Sequence, residues 1–150
     1  MTRSVIALDP GDHTGWVFRP REGDLRGGTI PKSHLQVAGL LATYNPDVVV
    51  FETFGLYPGK ANSLYWNSFY PCEVIGVIKL WAAQNNKAIV GQAPSVKRYS
   101  GKLDERFFKL KREQKDCKSG STLEVTEHTK DAYMHLKYFE RNREKEFKSI

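Results

Sequence analysis

Three acidic side chains stand far apart in the chain, and each closes or faces an apolar stretch. Asp9 ends Val5-Ile6-Ala7-Leu8, Glu52 ends Val48-Val49-Val50-Phe51, and Asp131 lies in His128-Thr129-Lys130-Asp131-Ala132. A carboxylate that directly follows a buried strand emerges at the rim of a sheet, held by rigid backbone. Two such strands side by side, with a helix bringing a third acid, gather negative charge that a metal cation relieves. Carboxylates so clustered suit two divalent ions about 4 Å apart, one activating a water for attack on phosphorus and one stabilising the departing 3′-oxygen. Mg2+ is the expected metal, because it takes oxygen ligands, few protein groups and several waters.

The elements that must position these acids are legible in the apolar periodicity. Residues 3–9 read as a buried strand, and 15–19 and 25–30 as two more, divided by the turn-rich 20–24, which gives an antiparallel meander. Asp-Pro-Gly after the first strand is by itself a hairpin turn, in which Gly11 and Gly15 allow backbone shapes a larger residue resists. Ser33 offers an N-cap to a helix with Leu35, Ala38, Leu41 and Ala42 at helical spacing, and Asn45-Pro46 stops it. Asp47 leads into a strand at 48–52. Strand, helix and strand in that order imply a crossover onto a parallel neighbour.

An aromatic loop follows from Phe54 to Tyr70, and Pro71 opens or kinks a helix with Val74, Val77, Ile78 and Trp81 on one face. Residues 87–91 form a short strand, and 95–119 a basic stretch, partly helical around Phe107 and Phe108. Ser121 with Glu124 makes a capping box for a last helix over about 123–142. On that helix Glu124, His128, Asp131 and His135 share one face, beside the apolar Ala132, Leu136 and Phe139. The polar row would then look across the sheet rim toward Asp9 and Glu52.

Length and composition bound the rest. A chain of 150 residues with 40% hydrophobic content builds one domain with a real core, taken as residues 1–150. No apolar run approaches the ~18 residues of a membrane span. With neither a signal peptide nor an anchor legible, the expected compartment is the cytoplasm, without membrane association. Cys72 and Cys117 are isolated and fit no metal spacing. Net charge is +6, and nine basic residues against four acidic ones lie between Lys97 and Lys118. A polyanion is the natural partner for such a segment, although a basic run taken alone is more often a solvated helix face. Tyr57-Pro58-Gly59-Lys60 resembles the end of a phosphate loop but lacks the first glycine at position 54, which rules out a nucleotide site there. Actin-like ATPases also begin with a strand-end Asp-Gly turn, but they need two such domains around a cleft.

The order β-β-β-α-β-α-β-α is the pattern of an α/β ribonuclease H-like fold, a mixed five-stranded sheet flanked by helices. Within it, Asp9-Pro-Gly-Asp-His-Thr-Gly15, the strand ending at Glu52, Ala93-Pro94-Ser95-Val96-Lys97 with Gly101-Lys102, and His128-Thr-Lys-Asp131-Ala132 follow one another in a particular order. In this the chain resembles RuvC-type Holliday-junction resolvases, and the phage-encoded (bacteriophage) branch looks nearest. The resemblance covers roughly residues 4–140. It implies a homodimer and Mg2+-dependent nicking of symmetrically placed strands at four-way and other branched DNA junctions, with host cytoplasm as the setting. Position by position, Asp9, Glu52, His128 and Asp131 match the family's metal-binding set, and Lys97 and Lys102 its lysine-bearing region near the scissile phosphate. Phe54 or Tyr57 matches an aromatic that wedges against unstacked bases, while most aromatics of that loop cover the core or a dimer interface. Arg98, Lys109, Lys111 and Arg112 extend the DNA-binding surface.

Many members carry Asp where His128 stands. Imidazole is softer than Mg2+ prefers, so Mn2+ would substitute well, or His128 would shuttle a proton. Glu124 or Glu127 could supply the missing carboxylate. Two rival readings keep the same fold: a nuclease acting on RNA–DNA hybrids, and a non-catalytic module that binds branched DNA.

Overall fold

Strand β1 (Val5–Asp9) turns back on β2 (Thr14–Arg19), which turns again into β3 (Arg26–Ile30), both pairs antiparallel. Helix α1 (His34–Tyr44) then crosses to β4 (Val48–Glu52), parallel to β1, and α2 (Tyr70–Asn85) crosses to β5 (Ala88–Gln92), parallel to β4. The sheet is five-stranded and mixed, in the order β3-β2-β1-β4-β5. A 3-10 segment (Pro94–Ser100) follows β5, and α3 (Glu127–Asn142) ends in a 3-10 turn (Glu144–Phe147). This computed structural model describes residues 2–54, 69–100, 123–124 and 126–147.

The continuous apolar runs of β1 and β4 have a simple cause. Both are central strands covered on two faces, so each residue of Val5–Leu8 and Val48–Val50 is fully buried. Alternate side chains divide between two cores. Ile6, Leu8, Val49 and Phe51 pack under α1 and α2, whereas Val5, Ala7, Val48, Val50 and Val90 pack under α3 with Ala132, Leu136 and Phe139. The period of two then fixes where the next odd or even residue points. Asp9 continues the Val5–Ala7 row, Glu52 the Val48–Val50 row and Gln92 the Val90 row, all toward the α3 face.

Helix α1 starts as expected, with the Ser33 hydroxyl accepting from Gln36 N, and stops at Asn45 in the left-handed region. Its buried stripe is rotated from the expected one: Val37 and Leu41 are buried, whereas Leu35 is 84% exposed. Both stripes have helical spacing, and only contact with Ile6 and Leu8 selects between them. Helix α2 has Pro71 in its first turn and buries Tyr70, Val74, Ile78 and Ala82. Helix α3 differs at its start. Thr126, whose hydroxyl accepts from Thr129 N, is its N-cap, so Glu124 precedes the helix. Leu123 and Glu124 run along β3 at Gly27, and Ser121 lies outside the described residues.

Glycine acts here by close approach. The described glycine with positive φ is Gly23, not Gly11 or Gly15. A Cβ on Gly15 would stand 1.9 Å from the His128 carbonyl oxygen and 2.8 Å from Thr129 N. The backbone of α3 therefore lies directly on β2, opposite Asp9, with which Gly15 is in register.

At the other end of the sheet Asp47 ties β1 to β4. Its Oδ2 accepts from Ser4 N at 2.9 Å and Ser4 Oγ at 3.1 Å, and Arg21 grips both carboxylate oxygens at 2.7 and 3.0 Å. Arg21 holds the Asp47 carboxyl at about 2, against partial burial and with help from Ser4. The ionised form is favoured by folding, so this contribution is present above the ordinary 3.8 and is lost as pH falls through about 2. We expect Asp47→Ala to cost about 2 kcal/mol at neutral pH, because the buried donors of Ser4 lose their acceptor. Urea denaturation at pH 7 and pH 2.5 checks both the size and its partial decline in acid. Among the described residues no helix is long and apolar enough to cross a membrane.

Candidate active site

The C-terminal ends of the parallel strands are where an open α/β sheet exposes side chains to a ligand while its backbone stays rigid. Here those ends carry Asp9 on β1, Glu52 on β4 and Gln92 on β5, with Glu52 and Gln92 in register. Helix α3, brought close by Gly15, adds Asp131 and, one turn later, His135. The Pro94–Ser100 segment adds Lys97 from the open side.

These groups meet around Glu52, whose side chain is 13% exposed. Its Oε1 lies 3.1 Å from Lys97 Nζ and 3.5 Å from His135 Nε2, and Lys97 Nζ is 3.6 Å from Asp131 Oδ2. Asp9 hydrogen-bonds Glu52 directly. Two carboxylates in contact cannot both hold charge without a cation between them. Burial, the bond to Glu52 and the charges of Glu52 and Asp131 push the Asp9 carboxyl from 3.8 to about 9. Burial pushes Glu52 upward too, but the neighbouring His135 ring, Asp9 and Lys97 outweigh it and hold Glu52 at about 2. Burial alone would lower the Lys97 ammonium, yet Glu52, Asp131 and Asp9 raise it above 10.5. The fold therefore favours the protonated form of Asp9 and the charged forms of Glu52 and Lys97.

That charge arrangement tests whether a divalent metal suits the site. Among the described residues no group of three or more His, Cys, Asp or Glu side chains is set to hold a metal ion as it stands. A proton on Asp9 and the Lys97 ammonium now supply the positive charge the acids require. The donors are hard carboxylate oxygens, the set Mg2+ prefers. Loss of one proton and a shift of one flexible lysine would free them, so the residues fit a hard divalent cation.

The other expected site residues divide between placed and undescribed. His128 stands one turn before Asp131, with its ring against His13 of the β1–β2 turn at 5.4 Å between centroids. Phe54 follows β4 and packs edge-on against Phe69, 6.4 Å away. Tyr57, Lys102, Lys109, Lys111 and Arg112 lie outside the described residues, as does the side chain of Arg98. His135, expected in the polar row of the last helix, does reach Glu52. Gln92 carried no role in the sequence and is legible afterwards by strand parity. A cavity of about 360 Å3, lined by Arg3, Val5, Val48, Glu144 and Phe147, opens at the other end of the sheet and includes none of Asp9, Glu52 and Asp131.

No protein-family model and no curated protein matches the chain. Solved structures do. Thermus thermophilus RuvC in complex with a Holliday junction substrate aligns at a TM-score of 0.62 and 18% identity, over 94% of this chain and 97% of that one. The fold is that of the RuvC-type resolvases. Fowlpox virus Holliday junction resolvase aligns at a TM-score of 0.60 and 16% identity, over 92% of this chain and 99% of that one. Its complex with substrate Holliday junction DNA aligns at 0.60 and 18% identity, over 91% and 99%. In this RuvC-like fold the acidic rim lies at the C-terminal ends of the two central strands.

Proposed function

We propose that this chain is a divalent-metal-dependent endonuclease that nicks four-way and other branched DNA junctions. The observation that carries the reading is the convergence of Asp9, Glu52 and Asp131, three acids remote in sequence, around Lys97 on one rim of a RuvC-type fold. Both bacterial and viral structures with this fold are described with Holliday junction DNA, which supports branched DNA as the substrate.

In this reading Asp9, Glu52 and Asp131 hold Mg2+, or Mn2+ in its place, with His128 at the edge of the set. Metal held there, as a pair of ions, would supply an activated water and charge stabilisation at the leaving oxygen. Asp9 gives up its proton on loading. Lys97 leaves Glu52 and Asp131 for the phosphate, and Lys102 assists it. Phe54 or Tyr57 stacks on a base at the crossover, an interaction worth ~1–3 kcal/mol per base. Arg98, Lys109, Lys111 and Arg112 neutralise the flanking backbone. A homodimer pairs two such sites, as two nicks in symmetrically placed strands require. The source we assign is a bacteriophage, acting in host cytoplasm, and residues 1–150 form one nuclease domain.

The test is a metal-titrated assay on a four-way junction, a flap, a linear duplex and an RNA–DNA hybrid. Nicking of the junction and the flap, absent without metal, is the expected result. Preferential cutting of the hybrid would assign a ribonuclease instead, and junction binding with no product at any metal concentration would leave only a binding module. We also expect the logarithm of junction affinity to fall linearly with the logarithm of salt, with a slope of about −0.9 per phosphate neutralised. A filter-binding titration between 50 and 200 mM NaCl, roughly the range over which several contacts cost 10³-fold or more, measures it. A flat response would remove the basic segment from the interface.

A further inference from the structure

We propose that Gln92 and His135 form a buried support that fixes the orientation of the Glu52 carboxylate, with His135 as a positioning residue that never touches substrate. The proposal rests on the reading of Glu52 as a cation ligand. His135 is fully buried and Gln92 is 3% exposed. Gln92 Nε2 lies 3.0 Å from the His135 carbonyl oxygen and 3.1 Å from His135 Nδ1. A carbonyl can only accept, so the group facing it is the amide NH2, and its second hydrogen is directed to Nδ1. Nδ1 therefore presents a lone pair, and the ring proton sits on Nε2. That nitrogen faces Glu52 Oε1 at 3.5 Å.

Three features make this more than core filling. The surroundings are apolar, with Val90, Ala132 and Leu136 buried in the same cluster, and a polar pair there is costly unless it is satisfied. Nε2 is a buried donor with no hydrogen bond of normal length, aimed at the one carboxylate that bridges Lys97 and Asp9. The clamp is also two-sided: Gln92 grips backbone and ring of the same residue, so the ring can neither flip nor change tautomer without losing a bond. A carboxylate with one oxygen held from behind turns its other oxygen outward to the rim. Outer partners that orient a metal's ligands typically change metal affinity 10–100-fold when removed.

The experiment reads metal binding apart from turnover. In the native protein, long-range 1H–15N correlation at neutral pH should show His135 as the Nε2–H tautomer. His135→Phe keeps the planar volume and removes the donor, and Gln92→Leu releases the tautomer. Both should weaken Mn2+ binding to DNA-free protein by roughly 10-fold or more in calorimetry, leave junction affinity in Ca2+ within twofold, and recover part of their nicking at high Mn2+. Melting curves identify any variant that fails to fold, and the tautomer in the native protein decides the matter even if both fail. An Nδ1–H tautomer overturns the proposal, as do folded variants that bind Mn2+ within twofold of native. A native protein that binds Mn2+ and nicks while both variants match it overturns this proposal alone. One that does neither overturns the nuclease reading and this proposal with it.

Discussion

Asp9→Asn abolishes nicking, by about 10³-fold or more, while junction binding is unchanged or tighter. A bound metal is worth several kcal/mol of transition-state stabilisation, and each 1.36 kcal/mol is about tenfold in rate. Binding survives because the change removes negative charge beside a phosphate. The same substitution has a second, opposite effect on the metal-free protein. The Asp9 carboxyl is raised to about 9 in the fold from an ordinary 3.8. Folding therefore favours its protonated form, and this stability, full below 3.8, is lost as pH rises through about 9. An amide has no proton to lose, so Asp9→Asn should melt higher than native at pH 8, the gap closing toward pH 4. Each kcal/mol recovered is worth roughly 2–4 °C at this size. Native protein should in turn bind Mg2+ more tightly as pH rises from 6.5 to 8.5, because Asp9 must surrender a proton. Calorimetry and gel-based nicking together decide it. Loss of binding along with cleavage, or a lower melting temperature, would contradict the role given to Asp9.

Gly15→Ala damages stability and activity together, although Gly15 has no chemistry. The new methyl group would sit 1.9 Å from the His128 carbonyl oxygen and 2.1 Å from its carbon. The obstacle is helix backbone, so no side-chain rotation relieves it. Overpacking of a core costs about 1–3 kcal/mol, and a clash with backbone belongs at or above the top of that range. At roughly 2–4 °C per kcal/mol the melting temperature falls by about 6–12 °C. Relief comes by lifting the start of α3, which carries Asp131 away from Asp9 and Glu52. A displacement of about 1 Å in a reacting array can cost 10²-fold, so nicking should fall by at least that factor at temperatures where the variant is folded. A scan of melting temperature with a nicking assay at 20 °C tests both halves. A variant that melts normally and nicks at the native rate would mean α3 does not depend on this contact.

Asp9 and Glu52 were legible from sequence because a central strand buried on both faces writes an unbroken apolar run, and an acid that ends such a run has one place to go. The first helix was legible at its ends, where Ser33 and Asn45 act locally, but not along its face. Leu35 and Val37 are equally apolar, and the sheet beneath decided which is buried. The last helix starts later than the capping-box spacing of Ser121 and Glu124 implies, because the chain spends Leu123 and Glu124 on β3. Thr126, flanked by no box, caps the helix instead. Gln92 gave no local signal at all, since a glutamine closing a short strand is ordinary until its neighbours are known.

Local signals alone set the α/β order of elements, the two strand-end acids and the helix that bears Asp131, since each depends on periodicity and turn chemistry within a few residues. It took the assembled fold to put Lys97 between Glu52 and Asp131, to raise the Asp9 carboxyl above its ordinary range, and to bring the Gln92–His135 pair up to Glu52. Those are effects of distance between groups remote in the chain. The energy of a charge pair and the cost of burying a carboxyl depend on separation and solvent, and neither exists until the strands are side by side.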